Sequence, residues 1–213
     1  MAEACAGWQR THYGWDVDPS IIRVVPDVLE AYEVFLRELV GAGNSVIVPT
    51  PAYMPFLSVP KLYDVNVIEI EMLQSGDAET GESQWLFDFD AIERAFAAGC
   101  HAFVLCNPHN PIGKVLTLEE ELRLSNLAAQ YDVRIFNDEI HAPFVFEGKH
   151  IPFPTISEQA ALQSMTATSA SKSFNIPGTK CAQVLLTDPA DRDMWAVKAE
   201  WSEHQTATIG AIA

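Results

Sequence analysis

Short apolar runs that alternate with helical stretches constrain this chain more than any other feature. Val46 to Val48, Val67 to Met72, His101 to Cys106, Arg134 to Phe136, Thr166 to Thr168 and Gln183 to Thr187 read as strands. Helices fall between them. From Asp27 to Val40 the residues Val28, Ala31, Tyr32, Phe35 and Leu39 recur at helical spacing, and Gly41 and Gly43 end the run. Asp88 to Ala98 is a second helix, stopped by Gly99. A third opens at Thr117, where Glu120 stands at the capping-box position, and runs to about Tyr131. Asp188 and Pro189 open the last, from Ala190 to about His204. Residues 1–20 read as a piece of amphipathic helix and a connector, and Leu73 to Ser83 as a polar surface loop. Strands that alternate with helices predict an α/β fold, a mostly parallel sheet flanked by helices on both faces. No internal repeat or clean domain boundary interrupts residues 1–213.

In such sheets ligands sit outside the carboxyl ends of the strands. Tyr53, Asn110, Asp138 and Lys172 all follow strand ends, so one crevice can gather them. Hydrophobic residues make up 48% of the chain and charged residues 20%, enough for a buried core. A formal net charge of −16 argues against nucleic acid and against an anionic membrane surface as partners. The four cysteines include no Cys-x-x-Cys pair, which predicts free thiols and no zinc site. The N-terminus lacks the pattern of a secretory signal, and no apolar run approaches the roughly 20 residues of a membrane span. A cytoplasmic protein is expected.

The segment Thr166 to Ala182, TATSASKSFNIPGTKCA, delivers Lys172 from a strand end on a loop of small hydroxyl residues. That placement suits a lysine that forms a Schiff base with pyridoxal 5′-phosphate. This cofactor also asks for an acid at its ring nitrogen, a donor for its phenolate oxygen, a flat surface for its ring and a cradle for its phosphate. Asp138 is the candidate acid, since a carboxylate against a pyridinium is stabilised as an ion pair. Asn110, within NPHNPIG, can donate an amide N–H to the phenolate oxygen, whereas Asn107 reads as a turn residue. Tyr53 is the candidate stacking ring. For the phosphate, Ser169 and Ser171 offer hydroxyls and Lys180 a counter-charge. Val24 and Val25 lead into the helix near Asp27, whose free N–H groups can receive an anion. His141 is placed to meet the phenolate oxygen or the substrate. His109 and His150 read as structural.

Three motifs in order, NPHNPIG, NDEIHAPFVFEGKHIPF and SASKSFNIPGTKCA, resemble the fold-type I pyridoxal-phosphate enzymes of the class I/II aminotransferase superfamily. Within it, DEIH together with SK-small-FN is similar to the MalY/PatB group of cystathionine β-lyases. The resemblance extends over essentially the whole chain, including GWDVDPSIIRVVPDVLEA and VPTPAYMPF. It implies that Lys172 is the Schiff-base lysine, Asp138 the aspartate at the ring nitrogen, Asn110 the phenolate asparagine, Tyr53 the stacking aromatic and Ser169 a phosphate-binding serine. His141 stands where aminotransferases place a phenolate-bonding tyrosine, a departure that fits the lyase branch. Lys180 stands where many of them have a phosphate-binding arginine, keeping the charge without the two-pronged geometry.

The resemblance also implies a longer protein. Family members begin before Met1 and continue past Ala213 into a small domain that carries the substrate-gripping arginine. Residues 1–213 are therefore expected to be the large cofactor-binding domain, truncated at both ends, of a protein that is a homodimer when intact. The implied reaction is carbon–sulfur β-elimination from an amino-acid substrate. An aminotransferase using the same site is the first rival, and a cofactor-binding or regulatory protein without turnover is the second.

Overall fold

In a computed structural model of the chain, residues 1–76 and 83–206 are described. Nine strands are present among them: β1 (Ile22–Val25), β2 (Ser45–Thr50), β3 (Asn66–Glu71), β4 (Leu73–Gly76), β5 (Ser83–Leu86), β6 (Ala102–Cys106), β7 (Arg134–Asp138), β8 (Ser164–Thr168) and β9 (Ala182–Leu185). The helices are α1 (Ala2–Tyr13), α2 (Val28–Val34), α3 (Met54–Ser58), α4 (Phe89–Ala97), α5 (Leu118–Gln130), α6 (Glu158–Gln163), α7 (Ala170–Ser173) and α8 (Pro189–Lys198).

Seven strands form one sheet in the order β1-β9-β8-β7-β6-β2-β3. Neighbours from β8 through β3 are parallel, and only β9 runs against its two neighbours. The expected mostly parallel α/β sheet is therefore present. Its central strands β2 and β6 are apolar on both faces because both are covered. In β2 and β6, Val46, Val48, Ala102, Val104 and Cys106 pack into one core with Tyr32, Phe35 and Trp195. Their neighbours Ile47, Phe103 and Leu105 pack into the other with Ile92, Phe96 and Leu124. The period-2 alternation thus divides one continuous apolar run between two cores.

Helix ends follow the local chemistry of the sequence. Thr117 and Glu120 form the reciprocal capping box of α5, with Thr117 Oγ1 accepting from the Glu120 N–H at 3.2 Å and Glu120 Oε2 accepting from the Thr117 N–H at 2.9 Å. The helix read from Asp27 to Val40 is α2 followed by a π-helical segment from Phe35 to Val40. The last helix is shorter than expected: α8 closes at Lys198, and Glu200–Gln205 continues as a 3₁₀ turn. The polar stretch from Leu73 is not simply a loop, since β4 pairs antiparallel with β5 in a hairpin. In β4 the residues Gln74, Ser75 and Gly76 are exposed and carry no apolar alternation. Residues 77–82 of that stretch lie outside the described residues. All four cysteines are free. Among the described residues no helix is long and apolar enough to cross a membrane.

Candidate active site

Four adjacent parallel strands, in the order β8-β7-β6-β2, present their carboxyl ends side by side. Each contributes one residue. Asp138 is the last residue of β7, and Tyr53, Asn110 and Lys172 lie three to four residues beyond β2, β6 and β8. All four line a cavity of about 200 Å³, together with His141, Ser171 and Lys180. The topology therefore gathers residues separated by up to 119 positions in sequence (172 − 53).

Asp138 forms the floor. Its side chain is 4% exposed, and Oδ1 accepts from the Ile140 N–H at 3.0 Å. Burial pushes its pKa up to about 7. The Ile140 N–H lowers it, Glu139 raises it, and Lys172 lowers it. Beneath it, Glu139 accepts from Asn137 Nδ2 at 2.7 Å and from the Phe153 N–H at 2.9 Å, and lies 3.2 Å from His150 Nε2. These bonds fix the backbone on either side of Asp138 while leaving its carboxyl without a cation within 4 Å among the described residues.

Lys172 is exposed on the short helix α7, whose N-cap is Ser169. The Ser169 hydroxyl accepts from the Ser171 N–H at 3.0 Å and donates to the Cys181 carbonyl at 2.8 Å. It is buried and lines a neighbouring apolar cavity rather than this one, so it shapes the lysine loop from behind. Tyr53 caps α3 with its ring edge-on to Phe56, centroids 5.5 Å apart. Asn110 makes no side-chain hydrogen bond among the described residues and is free to donate. His141 is half-buried, and burial, then the Lys172 charge, lowers its pKa. At neutral pH it is a neutral imidazole, able to donate from one nitrogen and accept at the other.

The cavity wall beside Lys180 comes from the approach to α2 and its first turn. Val24 and Val25 do not line the cavity; both belong to β1, where they pair with Gln183 and Ala182 of β9, and Val25 is fully buried. The lining there comes from Pro26 to Leu29. Asp27 is the N-cap of α2 and forms an ion pair with Lys180, Oδ2 to Nζ 2.5 Å. Asp27 is a wall residue that sequence reading used only as a helix start; its N-cap position was the one available signal. Asn107 and His109 are structural: Asn107 Nδ2 donates to Glu121 Oε1 at 2.7 Å, and His109 Nε2 lies 2.8 Å from the Pro51 carbonyl.

The sequence profile described as Aminotransferase class I and II matches residues 1–211. The chain belongs to the class I and II aminotransferase family. A relative within reach is a cystathionine β-lyase of Corynebacterium glutamicum, 35% identical over 213 residues, all of this chain and 55% of that protein. Cystalysin from Treponema denticola, whose crystal structure contains a pyridoxal 5′-phosphate cofactor, superposes with a TM-score of 0.88 at 26% identity, over 98% of this chain and 52% of that one. N-succinyldiaminopimelate aminotransferase from Mycobacterium tuberculosis superposes with a TM-score of 0.82 at 26% identity, over 95% and 51%. The chain spans about half the length of the relatives it matches. Lyases and transaminases of the family thus share this frame.

Proposed function

We propose that this chain is the cofactor-binding domain of a pyridoxal-phosphate-dependent carbon–sulfur β-lyase, which converts a cysteine S-conjugate and water to a thiol, pyruvate and ammonia. The observation that carries the reading is the convergence of Lys172, Asn110, Tyr53 and a buried, unpaired Asp138 on one cavity. The donor set fits the cofactor. It comprises an amine, an amide with no internal partner, an aromatic ring, a cation at Lys180 and a buried carboxyl with no cation within 4 Å among the described residues. Similarity to the Corynebacterium cystathionine β-lyase supports elimination as the outcome.

When bound, the cofactor supplies an electron sink for the pair left behind as the α-proton departs. The chain's own residues do the rest. Asp138 would be the acid at the ring nitrogen, its carboxylate keeping that nitrogen protonated. A cation there offsets the desolvation that otherwise keeps the carboxyl protonated. Lys172 Nζ would hold the cofactor through its aldehyde group, and the free amine would serve as the base for the substrate α-proton. Asn110 Nδ2 would donate to the phenolate oxygen, Tyr53 would offer its ring as a stacking surface, and Ser171 and Lys180 would serve the phosphate. His141, neutral and beside Lys172, is positioned to accept or return a proton at the lysine or the leaving group. An amino acid is the substrate class, and a cytoplasmic homodimer is the expected form of the intact protein.

Borohydride reduction of the cofactor-loaded protein, followed by peptide mapping, tests the site. The pyridoxyl mass is expected on Lys172, and an adduct elsewhere, or none, removes the reading. Incubation of the full-length protein with cystathionine tests the outcome. Pyruvate formed without a keto-acid acceptor marks a lyase. Dependence on an acceptor marks the aminotransferase reading, whose frame the Mycobacterium enzyme also has. Absence of both reactions in a protein that carries the Lys172 adduct marks a cofactor binder without turnover.

A further inference from the structure

The cavity carries an acid that the proposed cofactor does not call for. Asp27 and Lys180 both line it, and their side chains meet at 2.5 Å although 153 residues separate them. The other oxygen of Asp27 accepts from the Glu30 N–H at 2.9 Å and caps α2. Lys180 ends the Pro177–Thr179 turn in an uncommon backbone conformation, φ 49°. At this wall the two charges cancel. A phosphate dianion arriving here meets no net positive charge from the pair, and it has to share Lys180 with a carboxylate that already occupies it. Both side chains are about half exposed, 41% for Asp27 and 53% for Lys180, so exchange of partners is open to them.

We propose that Asp27 is an internal competitor for the cofactor phosphate: it holds Lys180 when no phosphate is present and lowers the affinity of the cavity for phosphorylated ligands. The inference rests on the cofactor reading above and adds to it a residue that sets how much the phosphate contributes to binding. Asp27→Asn keeps the side-chain oxygen that caps α2 while removing the charge. Asp27→Ser, a second good N-cap, separates the charge effect from any particular side chain.

The experiment is equilibrium binding of pyridoxal 5′-phosphate and of phosphate-free pyridoxal to the full-length apoprotein and to both variants, read by absorbance or calorimetry. Both variants are expected to bind pyridoxal 5′-phosphate roughly three- to tenfold more tightly, the scale of one partly screened charge. Pyridoxal affinity is expected to stay within about twofold. Lys180→Ala should weaken the phosphorylated ligand alone, and adding Asp27→Asn to it should restore part of the loss. Unchanged or weaker binding of pyridoxal 5′-phosphate by both Asp27 variants overturns the proposal, because Asp27 then serves the phosphate or ignores it. An equal gain for pyridoxal also overturns it. Failure of the unaltered protein to bind either compound instead removes the cofactor reading itself.

Discussion

The two ends of β7 treat buried charge in opposite ways. At the amino end, Arg134 lies between Asp188 and Asp191; its guanidinium donates to Asp188 Oδ2 at 2.9 Å and to Asp191, and also to the Leu162 carbonyl at 3.1 Å. At the carboxyl end, four residues on, Asp138 is buried with one backbone N–H and no cation within 4 Å among the described residues. Burial raises both acids, Asp191 to about 6, where Arg134 opposes it, and Asp138 to about 7. The first arrangement ties α8 to the sheet. The second stores an unmet demand for positive charge, which is what a site keeps for a ligand and a structural contact does not.

The largest effect is expected at the functional end. Lys172→Ala should abolish the borohydride-trapped adduct and lower turnover by about 10²–10⁴-fold, the range of a lost proton-transfer group. Mass mapping and steady-state kinetics check this. Next comes Asp138→Asn, which keeps the shape and the Ile140 contact but removes the charge that matches a protonated ring. Turnover should fall roughly 10²-fold or more, with the loss concentrated in kcat rather than KM, because the missing charge acts on the reacting system.

The same substitution separates function from stability. Asp138 has a folded-state pKa of about 7, above the ordinary 3.8, so between these values the folded apoprotein holds more protons than the unfolded chain. Its stabilising contribution is therefore complete below about pH 3.8 and is lost as pH rises through about 7. Relative to Asp138→Asn, the apoprotein should lose up to about 3–4 kcal/mol between pH 4 and pH 8, measured by urea unfolding across that range. A flat difference would mean that Asp138 already has a cation beside it. Loading the protein with cofactor should flatten the profile for that reason.

Sequence alone reveals the cavity end of this strand better than the end that holds Arg134. Asp138 ends a strand and Lys172 follows one on a loop of small residues, where local pattern and sheet topology together announce a site. Arg134 meets acids 54 and 57 residues away, and Asp27 meets Lys180 across 153, so neither pair has a local signature. Ser169 was legible as a hydroxyl near the site, but its hydrogen bonds to the Ser171 N–H and the Cys181 carbonyl depend on how the loop folds back on β9. Val24 and Val25 belong to β1, which runs to Val25, so the cavity wall is made instead by Pro26 to Leu29, with the α2 cap at Asp27 where the sequence places the helix start. The β4–β5 hairpin was missed because backbone pairing, rather than an apolar face, defines it.

Arg134→Met should have the smallest effect of the series and the opposite character. The methionine preserves much of the apolar stem but leaves Asp188 and Asp191 facing each other without the cation. Arg134 is partly exposed, so the loss should be about 2 kcal/mol rather than the full value for a deeply buried pair, visible as a Tm lower by roughly 4–8 °C. kcat per folded molecule should be unchanged, since Arg134 lies at the far end of the strand from the cavity. The deficit should also depend on pH. Without Arg134 the Asp191 carboxyl has lost the cation that opposes burial, so its pKa rises further and protonation relieves the repulsion as pH falls. The gap between the two proteins should therefore be wider at pH 8 than at pH 5. A change in kcat comparable to that of Asp138→Asn would show instead that the two ends of β7 are coupled and that the division between them is wrong.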